Sequence, residues 1–170
     1  MAEHTEQVTR VAEMVERAQS CMLTTMTLDG RHHARPMAVQ EVEFDGDLWF
    51  FAYSDSAKVA DALANPQVNV SFANDKDAEW TSITGTVEVV EDRQKAEELW
   101  SAPLKIWFPD GPGTPGLVLL KVHAEGAEYW DGPSSKVARM FGAVRAAVSG
   151  DPDKFPADNE KVDLSDRSNR

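Results

Sequence analysis

A single cysteine, Cys21, occurs among the 170 residues. That excludes an internal disulfide framework and any multi-cysteine metal cluster. It suits a reducing cytoplasm and leaves Cys21 as a small buried hydrophobe. Basic residues are scarce as well: 17 Lys and Arg stand against 29 Asp and Glu, a net charge of −12. Nucleic acids and anionic membranes demand a basic footprint, so neither is expected as a partner. Any anionic ligand requires a local basic pocket. Long apolar runs are missing too. Leu48 to Tyr53 and Gly116 to Leu120 are far too short to cross a bilayer. The opening MAEHTEQVTR has no basic n-region and no apolar h-region, so no signal peptide and a cytoplasmic location are expected. There is no glycine-rich nucleotide loop, no Gly-x-Ser-x-Gly elbow, no EF-hand and no internal repeat.

What is present suffices for one domain with a sizeable core. Hydrophobic residues make up 42% of the chain, with seven Phe and five Trp for bulk. Helical spacing of Val8, Val11, Ala12, Val15 and Ala18 predicts a helix from Thr5 to Gln19. Strands are predicted over Cys21–Thr27 and, after the Asp29-Gly30 turn, over Arg31–Phe44, where Pro36 marks an edge or an irregularity. Leu48–Tyr53 is apolar on both faces, as in a covered sheet or a barrel. A short helix spans Ser56–Ala64 and stops at Asn65-Pro66. Strands follow over Val68–Phe72 and Trp80–Val90, then a short helix over Arg93–Trp100. Pro103, Pro109, Pro112 and Pro115 make residues 101–115 a loop pinned by its aromatics. Leu117–Trp130 is a strand with a bulge near Gly126, and Ser134–Val148 is a helix. Residues 1–150 form the domain, and 151–170 a charged, flexible tail or surface-hugging arm. Consecutive strands with short turns favour an antiparallel barrel with accessory helices over a parallel sheet.

Three features bear on chemistry. Ser54-Asp55-Ser56-Ala57-Lys58 opens a helix straight after a buried strand. Free amides at a helix start, with Ser56 and Lys58, suit a phosphate; an ordinary cap and a solvated lysine are the plainer alternative. Arg35 lies one hairpin away, and its planar guanidinium suits the same anion unless it is merely an exposed strand arginine. Trp107-Phe108-Pro109 and Tyr129-Trp130-Asp131 offer aromatics for stacking or a subunit contact, with anchoring in the core as the alternative. His32 and His33 are adjacent on a strand and point to opposite faces, so no metal site is expected. No spacing of acids picks out a general acid or base.

The ordered set resembles a known family. Its parts are the Asp29-Gly30 turn, Arg35-Pro36-Met37, Leu48-Trp49-Phe50-Phe51, Ser56 with Lys58, Asn65-Pro66, Gly85, Leu99-Trp100, Trp107-Phe108-Pro109 and Ala127 to Asp131. The chain is similar to the flavin-binding split-barrel proteins related to pyridoxamine 5′-phosphate oxidase, and within them to the general stress protein 26 branch. The resemblance implies a mainly β fold, an antiparallel six-stranded split barrel of FMN-binding type. It implies a homodimer with FMN, or FAD or another flavin-like cofactor, at the subunit interface. Arg35, Ser56 and Lys58 would hold the phosphate. Pro36, Met37, Phe51, Ala52 and Tyr53 would lie along the flavin, and Trp107 and Trp130 would come from the partner subunit. Departures are Ala52 in place of Thr, Ala57 in place of the oxidases' Arg, and Trp80 in place of a Gln. The oxidases' C-terminal Arg-x-His motif is absent. The expectation is therefore a small-molecule flavin oxidoreductase of the stress type, not a true pyridoxamine phosphate oxidase. The alternatives are a flavin-binding stress protein without turnover, or a binder of a deazaflavin or haem.

Overall fold

The computed structural model describes residues 2–18, 20–40, 43–131 and 158–164. The predicted helix at 134–148 lies outside the described residues. Chain order is α1 (Ala2–Arg17), β1 (Ser20–Met26), β2 (His32–Ala38), β3 (Asp47–Tyr53), α2 (Ala57–Ala64), β4 (Gln67–Asn74), β5 (Glu79–Val90), α3 (Arg93–Glu98), a 3₁₀ turn (Ala102–Ile106), β6 (Leu117–Asp131) and β7 (Asp158–Asp163). Among the described residues, one antiparallel sheet holds all seven strands. Its path runs β2-β1-β4-β5-β6-β3, with β7 attached to β6. The path does not close on itself, which makes the fold a split barrel.

Alternation builds the core. Cys21, Leu23 and Thr25 point inward from β1, and Val68, Val70 and Phe72 from β4. With Ile83, Leu120 and Val122 they surround Val11, Met14 and Val15 of α1 in the main cluster. Each such fully buried aliphatic side chain contributes about 1.5–3 kcal/mol. β3 is apolar on both faces because it serves two clusters. Leu48, Phe50 and Ala52 face the main core, while Phe51 packs with Leu119, Ala96, Leu99, Leu104 and Phe108 beneath α3 and the 3₁₀ turn. Glu79 is buried at the start of β5, and Arg10 and Arg17 of α1 hold it at 3.0 and 2.9 Å. This pairing ties the helix to the sheet.

Strand β6 is the hub. Its first half pairs with β3 through Asp47↔His123 to Tyr53↔Leu117, and its second half with β7 through Gly126↔Asp163 to Asp131↔Asp158. Opposite β5 the register slips: Thr84 pairs with Gly126 but Gly85 with Ala124, so Glu125 is the extra residue of a bulge. Gly85 is required there. A Cβ on it would stand 2.0 Å from the His123 carbonyl oxygen.

Several boundaries differ from the sequence expectation. The extended segment after Gly30 ends at Ala38 instead of Phe44. Pro36 is accommodated because β2 is an end strand, paired with β1 alone on the strand path. Part of the 151–170 segment is a seventh strand. Val162 and Leu164 bury their side chains and anchor it, but two apolar residues are too few to read as a strand period. Ala78 takes a positive φ of 57° before β5, a turn no glycine announces.

Two outcomes follow from the packing. Gly85→Ala is expected to lower stability by about 1–3 kcal/mol, read as a lower denaturant midpoint, because backbone and not a pliable side chain stands in the way. Cys21 faces the Met37 carbonyl at 3.7 Å, and burial pushes its pKa up to about 12. Its alkylation by iodoacetamide at neutral pH should be at least about a hundredfold slower in native than in guanidinium-unfolded protein, since the thiolate is the reactive species.

Candidate functional site

β2 and β3 are the first and last strands of the path, yet residues from both line one cavity of about 490 Å³. The cavity therefore sits in the split of the barrel. β2 contributes Arg35, Pro36, Met37 and Ala38, and β3 contributes Phe51, Ala52 and Tyr53. Lys58 reaches it from the first turn of α2, and Leu104, Trp107 and Phe108 cover it from the 3₁₀ turn. Its wall is mostly apolar, with the two cations placed together.

Register explains why Arg35 turns inward. It pairs with Leu23, whose side chain is fully buried, so the two share the inner face of the sheet. An exposed strand arginine is thereby excluded: its side chain is only 21% exposed. Arg35 Nη1 donates to Thr25 Oγ1 at 3.0 Å, and Nη2 lies 3.4 Å from Asp61 Oδ2. Lys58 is half-buried, and burial, followed by the positive charge of Arg35, lowers its pKa below the usual lysine value. Two like charges are thus concentrated in a partly dry pocket, an arrangement that favours an anion between them.

Ser56 is the N-cap of α2, in extended conformation. Its hydroxyl donates to the Tyr53 carbonyl at 2.6 Å, so its one proton is committed to the backbone. Ser56 is not among the lining residues. Tyr53 donates its hydroxyl to the Trp107 carbonyl at 2.9 Å and stacks near Phe108 at 4.9 Å, which pins the covering loop to β3. Trp107 itself is exposed. Trp130 pairs with Trp80 on β5 and lies beside Asn159 of β7, on the second half of β6; it does not line the cavity of its own chain. Trp49 and Trp100 belong to the second cluster, where Trp100 meets Phe51 edge-on at 5.7 Å.

Of the eight residues expected from the same chain, the cavity gathers seven, Arg35, Pro36, Met37, Phe51, Ala52, Tyr53 and Lys58, and leaves out Ser56. Trp107, expected from the partner subunit, lines the cavity of its own chain because the 3₁₀ turn folds back over β3. Sequence reasoning missed Ser20, Gln40 and Leu104 in the lining, and Thr25 and Asp61 behind Arg35. Asp61 was detectable in principle: it lies three residues after Lys58, on the same helix face. Among the described residues no group of three His, Cys, Asp or Glu side chains could hold a metal ion. No described helix is long and apolar enough to cross a membrane.

Comparison with known proteins agrees with this architecture. The chain is 28% identical over 142 residues to protein bli-3 of Neurospora crassa, covering 78% of this chain and 68% of that protein. A Jannaschia sp. CCS1 protein assigned as general stress protein 26 superposes with a TM-score of 0.72 at 20% identity, over 94% of this chain and 99% of that one. A Bacteroides thetaiotaomicron protein assigned as a 5-nitroimidazole antibiotic resistance protein gives a TM-score of 0.57 at 16% identity, over 71% and 81% of the two chains. Residues 6–153 match the family described as pyridoxamine 5′-phosphate oxidase like, and the chain belongs to that family.

Proposed function

We propose that the cavity in the split of the barrel binds a flavin mononucleotide, and that the protein is an FMN-dependent oxidoreductase of the general stress protein 26 type. The observation that carries this reading is that Arg35 and Lys58 lie close enough to feel each other's charge in the lining of a cavity whose wall is otherwise mostly apolar and aromatic. That donor set fits a phosphate ester joined to a planar ring system. Arg35 offers a fork of N–H donors and Lys58 a point charge. The amides at the start of α2, beyond Ser56, add partial positive charge on the same side. Met37, Phe51, Tyr53 and Trp107 flank the ring, with the backbone of Pro36 and Ala52 alongside.

A bound flavin supplies hydride and single-electron chemistry, while the protein supplies binding, orientation and exclusion of water. The titratable side chains lining the cavity are Arg35, Lys58 and Tyr53. No carboxylate or histidine lines it among the described residues. The chain's contribution is therefore to hold the cofactor and dry its surroundings, and no protein acid or base is nominated. This same feature favours a second reading, a flavin-binding stress protein without turnover. Anaerobic mixing of the flavin-loaded protein with NADH or NADPH separates the two. Bleaching of the flavin band is expected for the oxidoreductase, and an unbleached band with either donor leaves only the binding protein.

The loop that covers the cavity carries Ile106 and Trp107, which are 79% and 66% exposed. Large apolar side chains so placed support a homodimer in which a second copy covers this loop, with Trp130 available to the neighbouring site. A dimer is expected by light scattering.

The phosphate role has its own readout. Lys58→Ala should weaken FMN binding by about tenfold to a hundredfold while leaving riboflavin nearly unchanged, because the lost contact is a charge-assisted one. Equal losses for both ligands would refute it. Alkaline titration tests the same site. The lysine's depressed pKa means that its charge disappears at a lower pH than that of a free lysine. FMN affinity should therefore fall as pH rises through that value, below 10.5, with riboflavin affinity lagging behind. Mass spectrometry of the cofactor released from native protein identifies the ligand, and a mass other than FMN would overturn the reading.

A further inference from the structure

Building on the reading that the cavity holds a phosphate-bearing ligand, we propose that Asp61 and Thr25 are positioning residues that aim the Arg35 guanidinium at that phosphate. An arginine on an end strand is by default a mobile side chain, with rotamer entropy to lose on fixing it. Here a partly buried hydrogen-bonded triangle fixes it in advance.

Thr25 is buried on β1, diagonal to Arg35 across the β1–β2 ladder, where Leu23 is the direct partner. Its hydroxyl donates to Asp61 Oδ2 at 2.8 Å. With its only proton so committed, Thr25 Oγ1 presents lone pairs, and Arg35 Nη1 donates to them at 3.0 Å. Asp61 Oδ2 stands 3.4 Å from Arg35 Nη2 and closes the triangle. Asp61 is 12% exposed, so this ion pair is shielded from solvent.

The triangle engages two of the guanidinium's nitrogens, and a guanidinium carries five N–H donors. The rest remain for a ligand in the cavity that Arg35 lines. Asp61 also follows Lys58 by three residues on α2. One helix face thus brings a cation for the ligand and a carboxylate for the arginine. Without the carboxylate, Arg35 and Lys58 would repel each other in the unliganded protein, and the guanidinium would swing toward solvent.

A negative charge near the phosphate also repels it. The two effects predict opposite signs for removal of Asp61, and the hydrogen-bond geometry favours positioning. The test is fluorescence titration of FMN and riboflavin against the wild-type chain, Arg35→Ala, Asp61→Ala, Asp61→Asn, Thr25→Val and the double variant Arg35→Ala/Asp61→Ala. Thermal melts identify the variants that fold. Asp61→Ala and Thr25→Val should each weaken FMN by about tenfold, as expected for coupled neighbours in one network, and move riboflavin by less than about twofold. Asp61→Asn should restore much of the loss by keeping an acceptor for Thr25. The double variant should bind FMN no more weakly than Arg35→Ala alone. The proposal is overturned if Asp61→Ala binds FMN as tightly as wild type or more tightly, if it loses both ligands equally, or if its effect adds to that of Arg35→Ala. Near-isosteric Thr25→Val decides the matter if Asp61→Ala does not fold. Should the wild-type chain not distinguish FMN from riboflavin, and Arg35→Ala change neither, the phosphate reading itself fails and this proposal with it. An FMN preference lost in Arg35→Ala but kept in both Asp61→Ala and Thr25→Val sinks the positioning role alone.

Discussion

The close approach of two backbones at Gly85 and His123 governs the shape of this sheet. With no side chain on Gly85, β5 lies against the His123 carbonyl, and the register slips by one residue at Glu125. A bulge of this kind bends the strand and sharpens its twist. It also divides the far edge of β6 into two docking stretches. The stretch before the bulge receives β3, and the stretch after it receives β7. Backbone groups flanking the bulge remain paired, with Ala124 donating to the Gly46 carbonyl and Leu164 to that of Glu125. β3 is confined to one half of β6 and ends the strand path, and its last residues line one cavity together with β2. The cavity is the gap left between them.

That gap requires two separate apolar clusters. Phe50 and Ala52 belong to the main core, while Phe51 and Tyr53 look toward the loop around Leu104 and Phe108. One strand thus holds the barrel shut from inside and carries the cavity's cover from outside. The Tyr53 hydroxyl on the Trp107 carbonyl adds a directional bond where apolar packing alone would let the loop slide.

Electrostatics work at two scales. A surplus of twelve negative charges speaks against a polyanionic partner, yet the cavity is locally positive. The two facts agree because long-range fields are screened over about 10 Å in ordinary salt, whereas charges in a partly buried pocket are not. Arg35, Lys58 and Asp61 form such a pocket. Elsewhere a buried acid is paired structurally, as Glu79 is with Arg10 and Arg17.

Much was legible in the sequence. Alternation in β1, β4 and β5, the doubly apolar run of β3 and the α2 stop at Asn65-Pro66 all express local rules of period and capping, which act within a few residues. The resemblance to a known family rests on such short landmarks, and Arg35, Lys58 and Phe51 were nominated through them. The anchoring of β7 by Val162 and Leu164 was not legible. Nor were the retreat of Ser56 onto the Tyr53 carbonyl, the place of Trp107 in its own chain's cavity, or the Thr25–Asp61 support of Arg35. Each depends on which strand lies beside which, and on side chains far apart in the chain. By itself the sequence determined the elements, the core-facing residues and the charge types available for a site. Only the tertiary structure decided which of those charges meet, because strand register and the slip at Gly85 set distances that no local period encodes.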